Sequence, residues 1–151
     1  MTEMETLLIE RACLGLMTAY CTHLDARKAE AFLDLFVEDL IWVRTHPPGP
    51  VYSGRESMRI YFQERSTLRR NYHLTLNPRV TVLSADAAEG VCMLLVVDGP
   101  AGDGGVPVPM GGVTLLGEYR DVYRRGPNGW RIARRELSRL LDKQVGHEAV
   151  A

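Results

Sequence analysis

The sequence predicts an α+β fold, with three N-terminal helices packed on a strongly curved antiparallel sheet. Three observations carry this. Apolar residues recur at helical spacing as far as Arg65, whereas from Asn71 onward the period changes to two. The turn Gly126-Pro127-Asn128-Gly129 then joins the last two long strand patterns as a hairpin. Helices segregated to one side of an antiparallel sheet define the class. A long sheet must twist and bulge to curl around three helices, and such a sheet leaves a cavity between its concave face and the helices. At 151 residues the chain reads as a single domain, 1–151, without internal repeat or linker.

The elements follow in order. Thr2 to Leu24 carries a helical stripe of Met4, Leu7, Leu8, Leu14, Met17, Cys21 and Leu24. Asp25 to Phe36 reads as a second helix, with Ala29, Phe32, Leu33 and Phe36 on one face. Leu40 to Val43 is a short strand that ends at His46-Pro47-Pro48-Gly49-Pro50, where no helix can continue. Ser53 and Glu56 have capping-box spacing and open a third helix, Gly54 to Arg65, with Met58, Tyr61 and Phe62 buried. In the first long strand Tyr72, Leu74, Leu76, Val80 and Val82 alternate with His73, Thr75, Asn77, Arg79 and Thr81. Pro78 there demands an edge position or a bulge. Val91 to Asp98 is apolar on both faces and is expected to be covered on both. The loop Gly99 to Gly112 is long for a hairpin, and reads as a pocket cover or a surface excursion. Strands at Val113–Arg125 and Trp130–Leu140 follow, and the chain is expected to fray from Asp142.

Composition narrows the function. The longest apolar run, Val91 to Val97, is far too short to span a bilayer, and the acidic start (Glu3, Glu5, Glu10) is unlike a signal peptide, so a cytoplasmic location is expected. The odd cysteines Cys13, Cys21 and Cys92 are expected as buried thiols. His23, His46, His73 and His147 lack metal-ligand spacing, so no metal is expected. Arg120, Arg124, Arg125, Arg131, Arg134, Arg135 and Arg139 crowd the C-terminal part, but the formal net charge is −1. A nucleic-acid surface is therefore disfavoured. These arginines read as sheet-surface charges facing Glu118, Asp121 and Glu136, with one or two turned inward.

Three residues carry the chemistry. Tyr20 closes the first helix, Asp25 stands at a helix boundary, and His73 opens the first long strand. Singly, Asp25 is a helix cap, Tyr20 a core residue and His73 a member of a polar stripe facing water. Brought together, a carboxylate, an imidazole and a phenol transfer protons without metal or cofactor.

The combination resembles the SnoaL-like branch of the nuclear transport factor 2-like superfamily, from about Glu10 to Ser138. The residues that carry the resemblance are YCTHLDARKAEAFLDLFVEDLIW, YSGRESMRIYF, YHLTLNPRV and GEYRDVYRRGPNGWRIARREL, in this order. It implies a cone-shaped, cystatin-like α+β barrel. Within that branch the chain is similar to cofactor-independent lyases: scytalone dehydratase, bile-acid 7α-dehydratase and hexachlorocyclohexane dehydrochlorinase. The resemblance implies a histidine–aspartate general base at His73 and Asp25, with Tyr20 and an arginine of the last strand assisting. Arg135 fits that arginine best and Arg134 is one step off. The reaction implied is a dehydratase-type elimination or an isomerisation of a small hydrophobic cyclic molecule. Trp42, Met58, Tyr61, Phe62 and Met93 are candidate pocket-lining residues, each also readable as plain core.

Two other functions fit the resemblance. The small subunits of ring-hydroxylating dioxygenases share the fold and scaffold an iron-containing large subunit without catalysing anything. A small-molecule-binding or polyketide-cyclase-like protein is the third. The convex sheet face is expected to pair with further copies, as a homodimer or homotrimer.

Overall fold

A capping box starts helix α1 (Glu3–Asp25): the Thr2 hydroxyl accepts from the Glu5 N–H at 3.2 Å and the Glu5 carboxylate accepts from the Thr2 N–H at 2.6 Å. In this computed structural model, which describes residues 1–103 and 105–143, the buried stripe of α1 is Ile9, Cys13, Met17, Tyr20, Cys21 and Leu24. The expected stripe is corrected at its start, because Met4, Leu7 and Leu8 are exposed. Stepping back three or four residues from Ile9 reaches Thr6 and Glu5, so the three apolar residues fall to the sides of the packed face.

The end of α1 sets the position of Asp25. Arg27 takes a left-handed φ of 55°, its N–H donates to the Leu24 carbonyl, and the Lys28 N–H donates to the His23 carbonyl. This is a Schellman stop, with arginine where glycine is usual. The helix expected from Asp25 to Phe36 is therefore reduced to α2 (Ala29–Leu33), and Asp25 ends one helix rather than capping the next.

Strand β1 (Phe36–His46) is longer than the expected Leu40–Val43 and turns back into β2 (Val51–Ser53). Helix α3 (Gly54–Gln63) follows, but the expected capping box does not form. Gly54 sits at φ 79°, the Ser53 side chain makes no cap bond, and Glu56 instead faces Arg59 at 3.5 Å.

The remaining strands are β3 (Arg69–Val82), β4 (Ala87–Pro100), β5 (Gly112–Gly126) and β6 (Gly129–Asp142). They join β1 and β2 in one sheet of order β2-β1-β6-β5-β4-β3. The sheet is curved and does not close, leaving β2 and β3 as edges. One pairing departs from the antiparallel expectation: β1 runs parallel to β6, with Trp42 opposite Arg135. A parallel pair needs a long crossover, and all of β2 to β5 supplies it. Pro78 stands on edge strand β3, within a register break between Leu76 and Arg79 where Asn77 takes φ 50°.

The core lies between the helices and the inner sheet face. Cys92, Leu94 and Val96 of β4 are buried there, whereas Val91, Met93, Leu95 and Val97 alternate to the outer face and are only half-buried. The expectation of cover on both faces is thus corrected. Outer neighbours Tyr72, Leu74 and Leu76 of β3 are exposed. All three cysteines are free and buried. Among the described residues no helix is long and apolar enough to cross a membrane. Of the expected frayed end, residues 144–151, with His147, lie outside the described residues.

Candidate functional site

Asp25 and His73 are 48 residues apart in sequence and meet where the end of α1 lies against β3. The His73 ring nitrogen Nδ1 is 2.5 Å from Asp25 Oδ1, and the His73 backbone N–H donates to Asp25 Oδ2 at 2.7 Å. Both carboxylate oxygens are therefore held by one residue, and ring and backbone fix each other's orientation. The two side chains are 8% and 13% exposed. Asp25 also stands at the negative end of the α1 dipole, where a carboxylate is disfavoured and a cation favoured. A positive charge forming on His73 is stabilised by the carboxylate and the helix end together. His73 Nε2 has no partner among the described residues.

Two cavities reach this pair. One, of about 560 Å³, is lined by Thr18, Cys21, Thr22, Tyr72, His73 and Thr75 along the groove between α1 and β3. The other, of about 260 Å³, lies beyond the end of α1 and is walled by Arg27, Arg65, Arg69 and Arg70. Asp25 and Ala26 line both. Burial pushes the Cys21 thiol up to about 12, which makes it a poor nucleophile despite its place in the wall.

Tyr20 and Arg135 come together on the inner face, outside the two cavities. The Arg135 guanidinium lies 4.0 Å from the Tyr20 ring centroid and 4.2 Å from that of Tyr119. It donates twice to Asp121, Nε to Oδ1 at 2.7 Å and Nη2 to Oδ2 at 2.6 Å, and Tyr123 adds a third donor to that carboxylate at 2.6 Å. Arg135 is fully buried, whereas Arg134 faces outward and pairs with Glu136 at 2.6 Å. Asp121, expected on the outer face, is buried beneath the sheet. Burial drives the Tyr20 and Tyr119 phenols well above their ordinary range, so both stay protonated donors. Tyr20 Oη and Arg135 Nη1 are buried and make no hydrogen bond.

The five candidate lining residues divide. Trp42, Tyr52 and Tyr61 form an aromatic triangle with centroids 5.1 to 5.7 Å apart, and Trp42 Nε1 is buried without a partner. Met58 and Phe62 are core residues, the latter 5.3 Å from the Phe32 ring. Met93 is corrected: β4 alternation puts it on the outer face, away from the pair. Sequence reasoning missed Arg65, which donates to the Tyr61 hydroxyl at 3.0 Å, because it stands just past the third helix with no pattern to mark it. Tyr119, Asp121 and Tyr123 did carry a signal, since their period of two on β5 aims all three inward. Among the described residues no cluster of three or more His, Cys, Asp or Glu could hold a metal ion.

No curated protein matches the chain. Solved structures do. An NTF2-like protein with a cystatin-like fold from Novosphingobium aromaticivorans is 26% identical, with a TM-score of 0.73 over 89% of this chain and 84% of that one. A candidate scytalone dehydratase from the same organism is 23% identical, with a TM-score of 0.78 over 98% and 95%. A hexachlorocyclohexane dehydrochlorinase is 16% identical, with a TM-score of 0.77 over 99% and 97%. At 23% and 16% these last two speak for the fold. The model of the SnoaL-like domain matches residues 5–136, most of the length, and the chain belongs to that family.

Proposed function

We propose that this protein is a cofactor-independent lyase that performs dehydratase-type eliminations, with His73 as general base and Asp25 as its positioning carboxylate. The observation that carries the reading is the 2.5 Å contact between His73 Nδ1 and Asp25, with Nε2 free beside a 560 Å³ groove. Asp25 Oδ1 accepts a hydrogen bond from Nδ1–H, which keeps the proton on Nδ1 and leaves the lone pair on Nε2. Nε2 removes a proton from carbon. The electron pair of that C–H bond becomes the new π bond, and the leaving group departs with the pair of the bond that joined it to the neighbouring carbon. The imidazolium returns its proton to a departing hydroxide, or to solvent when a halide leaves. The unmatched donors Tyr20 Oη and Arg135 Nη1 lie buried outside the groove, and so make no contact with a substrate held there. The dehydratase and dehydrochlorinase names among its structural neighbours agree with this class.

The test is a panel of β-hydroxy ketones, hydroxylated rings and chlorinated rings, followed by the ultraviolet absorbance of the conjugated product. H73A is expected to lose turnover by about two to four orders of magnitude while keeping its melting temperature. D25N is expected to lose more than tenfold. Full activity in H73A refutes the assignment.

A scaffold role draws support from the exposed Tyr72, Leu74 and Leu76 on the outer sheet face, which a homodimer, a homotrimer or a large dioxygenase subunit would cover. Copurification with an iron-containing subunit favours that role; a homo-oligomer on its own favours the enzyme.

A further inference from the structure

The 260 Å³ recess at the end of α1 is walled by Arg27, Arg65, Arg69 and Arg70, and its one acidic residue is Asp25, already held by His73. Among the described residues only Arg69 has a carboxylate of its own, in Asp98. The other three donate to uncharged oxygens: Arg27 to the Ser66 carbonyl, Arg65 to the Tyr61 hydroxyl at 3.0 Å and Arg70 to the Ala101 carbonyl at 3.2 Å. Among the described residues none of these three has an acidic partner. Guanidinium groups converging on a small recess repel one another unless an anion joins them, and their planar donors match carboxylate and phosphate oxygens. The recess has room for such a group, while the larger groove across Asp25 suits an apolar body.

We propose that this recess anchors a carboxylate or phosphate of the substrate. The substrate is then an amphipathic anion whose apolar part lies in the α1–β3 groove, with the reacting carbon at His73. This rests on the reading of His73 as the base and names the substrate class of that site.

The experiment uses 4-phenylbutyrate, its uncharged amide and phenethyl phosphate, with binding followed by backbone amide NMR shifts. At least one anion is expected to shift Ala26, Arg70, Asn71 and Ala101, to weaken as salt rises, and to bind roughly tenfold or more tightly than the amide. Whichever anion binds better names the source of the charge. R27Q and R70Q are each expected to weaken the preferred anion severalfold. The proposal is overturned if neither anion binds, if the amide binds equally, if the shifts fall elsewhere, or if both variants bind as wild type does. H73A separates the two readings. Anion binding that persists in H73A alongside undiminished turnover refutes only the base. Loss of turnover in H73A with no anion binding in the wild type refutes only the recess.

Discussion

Arg135 shows how much one side chain can cost and why it is retained. Taking a guanidinium fully out of water is expensive, and here Asp121 offsets the charge while two aromatic faces hold the plane. Truncating Arg135 removes both charge and ring contacts, whereas D121N leaves the cation buried and unpaired. D121N is therefore expected to destabilise the fold by about 3–5 kcal/mol, read by urea denaturation. A loss below 1 kcal/mol would mean that the tyrosine rings alone can hold Arg135. In the sequence, Arg135 was legible as the inward arginine because it stands five residues after Trp130, a place the family resemblance marks. Its partner Asp121 was legible only through the strand phase: read with Tyr119 and Tyr123 at a period of two it points inward, whereas read beside Arg120 it looks like a surface charge.

At the scale of elements, α1 and β3 carry the candidate site and their ends decide its geometry. The Schellman stop places Asp25 at the last turn of α1, and Arg27 occupies the left-handed position that glycine would take without strain. R27G is expected to keep or raise stability, by up to about 1 kcal/mol in thermal denaturation, while weakening anion binding. A marked loss of stability would instead show that the Arg27–Ser66 contact holds the turn together. The helical and alternating periods in the sequence revealed α1, α3 and the four long strands. They did not reveal that α2 is only one turn, because Ala29, Phe32, Leu33 and Phe36 keep helical spacing even though Phe36 already belongs to β1. Nor does hydrophobic pattern specify direction, so the parallel β1–β6 pair could not be read from it.

For the whole molecule, the central consequence of the curved sheet is a meeting of residues far apart in sequence. Edge strand β3 crosses the end of α1, so the polar stripe that alternation alone would send to solvent brings His73 to Asp25. Periodicity placed His73 on one face of its strand; only the fold decides which face looks inward. The same curvature leaves Tyr72, Leu74 and Leu76 on the outside, which is why Met93, their neighbour on β4, belongs to that surface. The pairing of Asp25 with Nδ1 has a direct spectroscopic consequence. In the neutral ring the proton resides on Nδ1 and Nε2 is bare, the reverse of the usual preference of a free imidazole. Long-range ¹H–¹⁵N correlation spectra of His73, recorded on wild type and D25N where the ring is neutral, measure this. A proton on Nδ1 in the wild type that shifts toward Nε2 in D25N is the expected result, and an Nε2 proton in both would contradict the role assigned to Asp25 and leave His73 without a lone pair aimed at substrate.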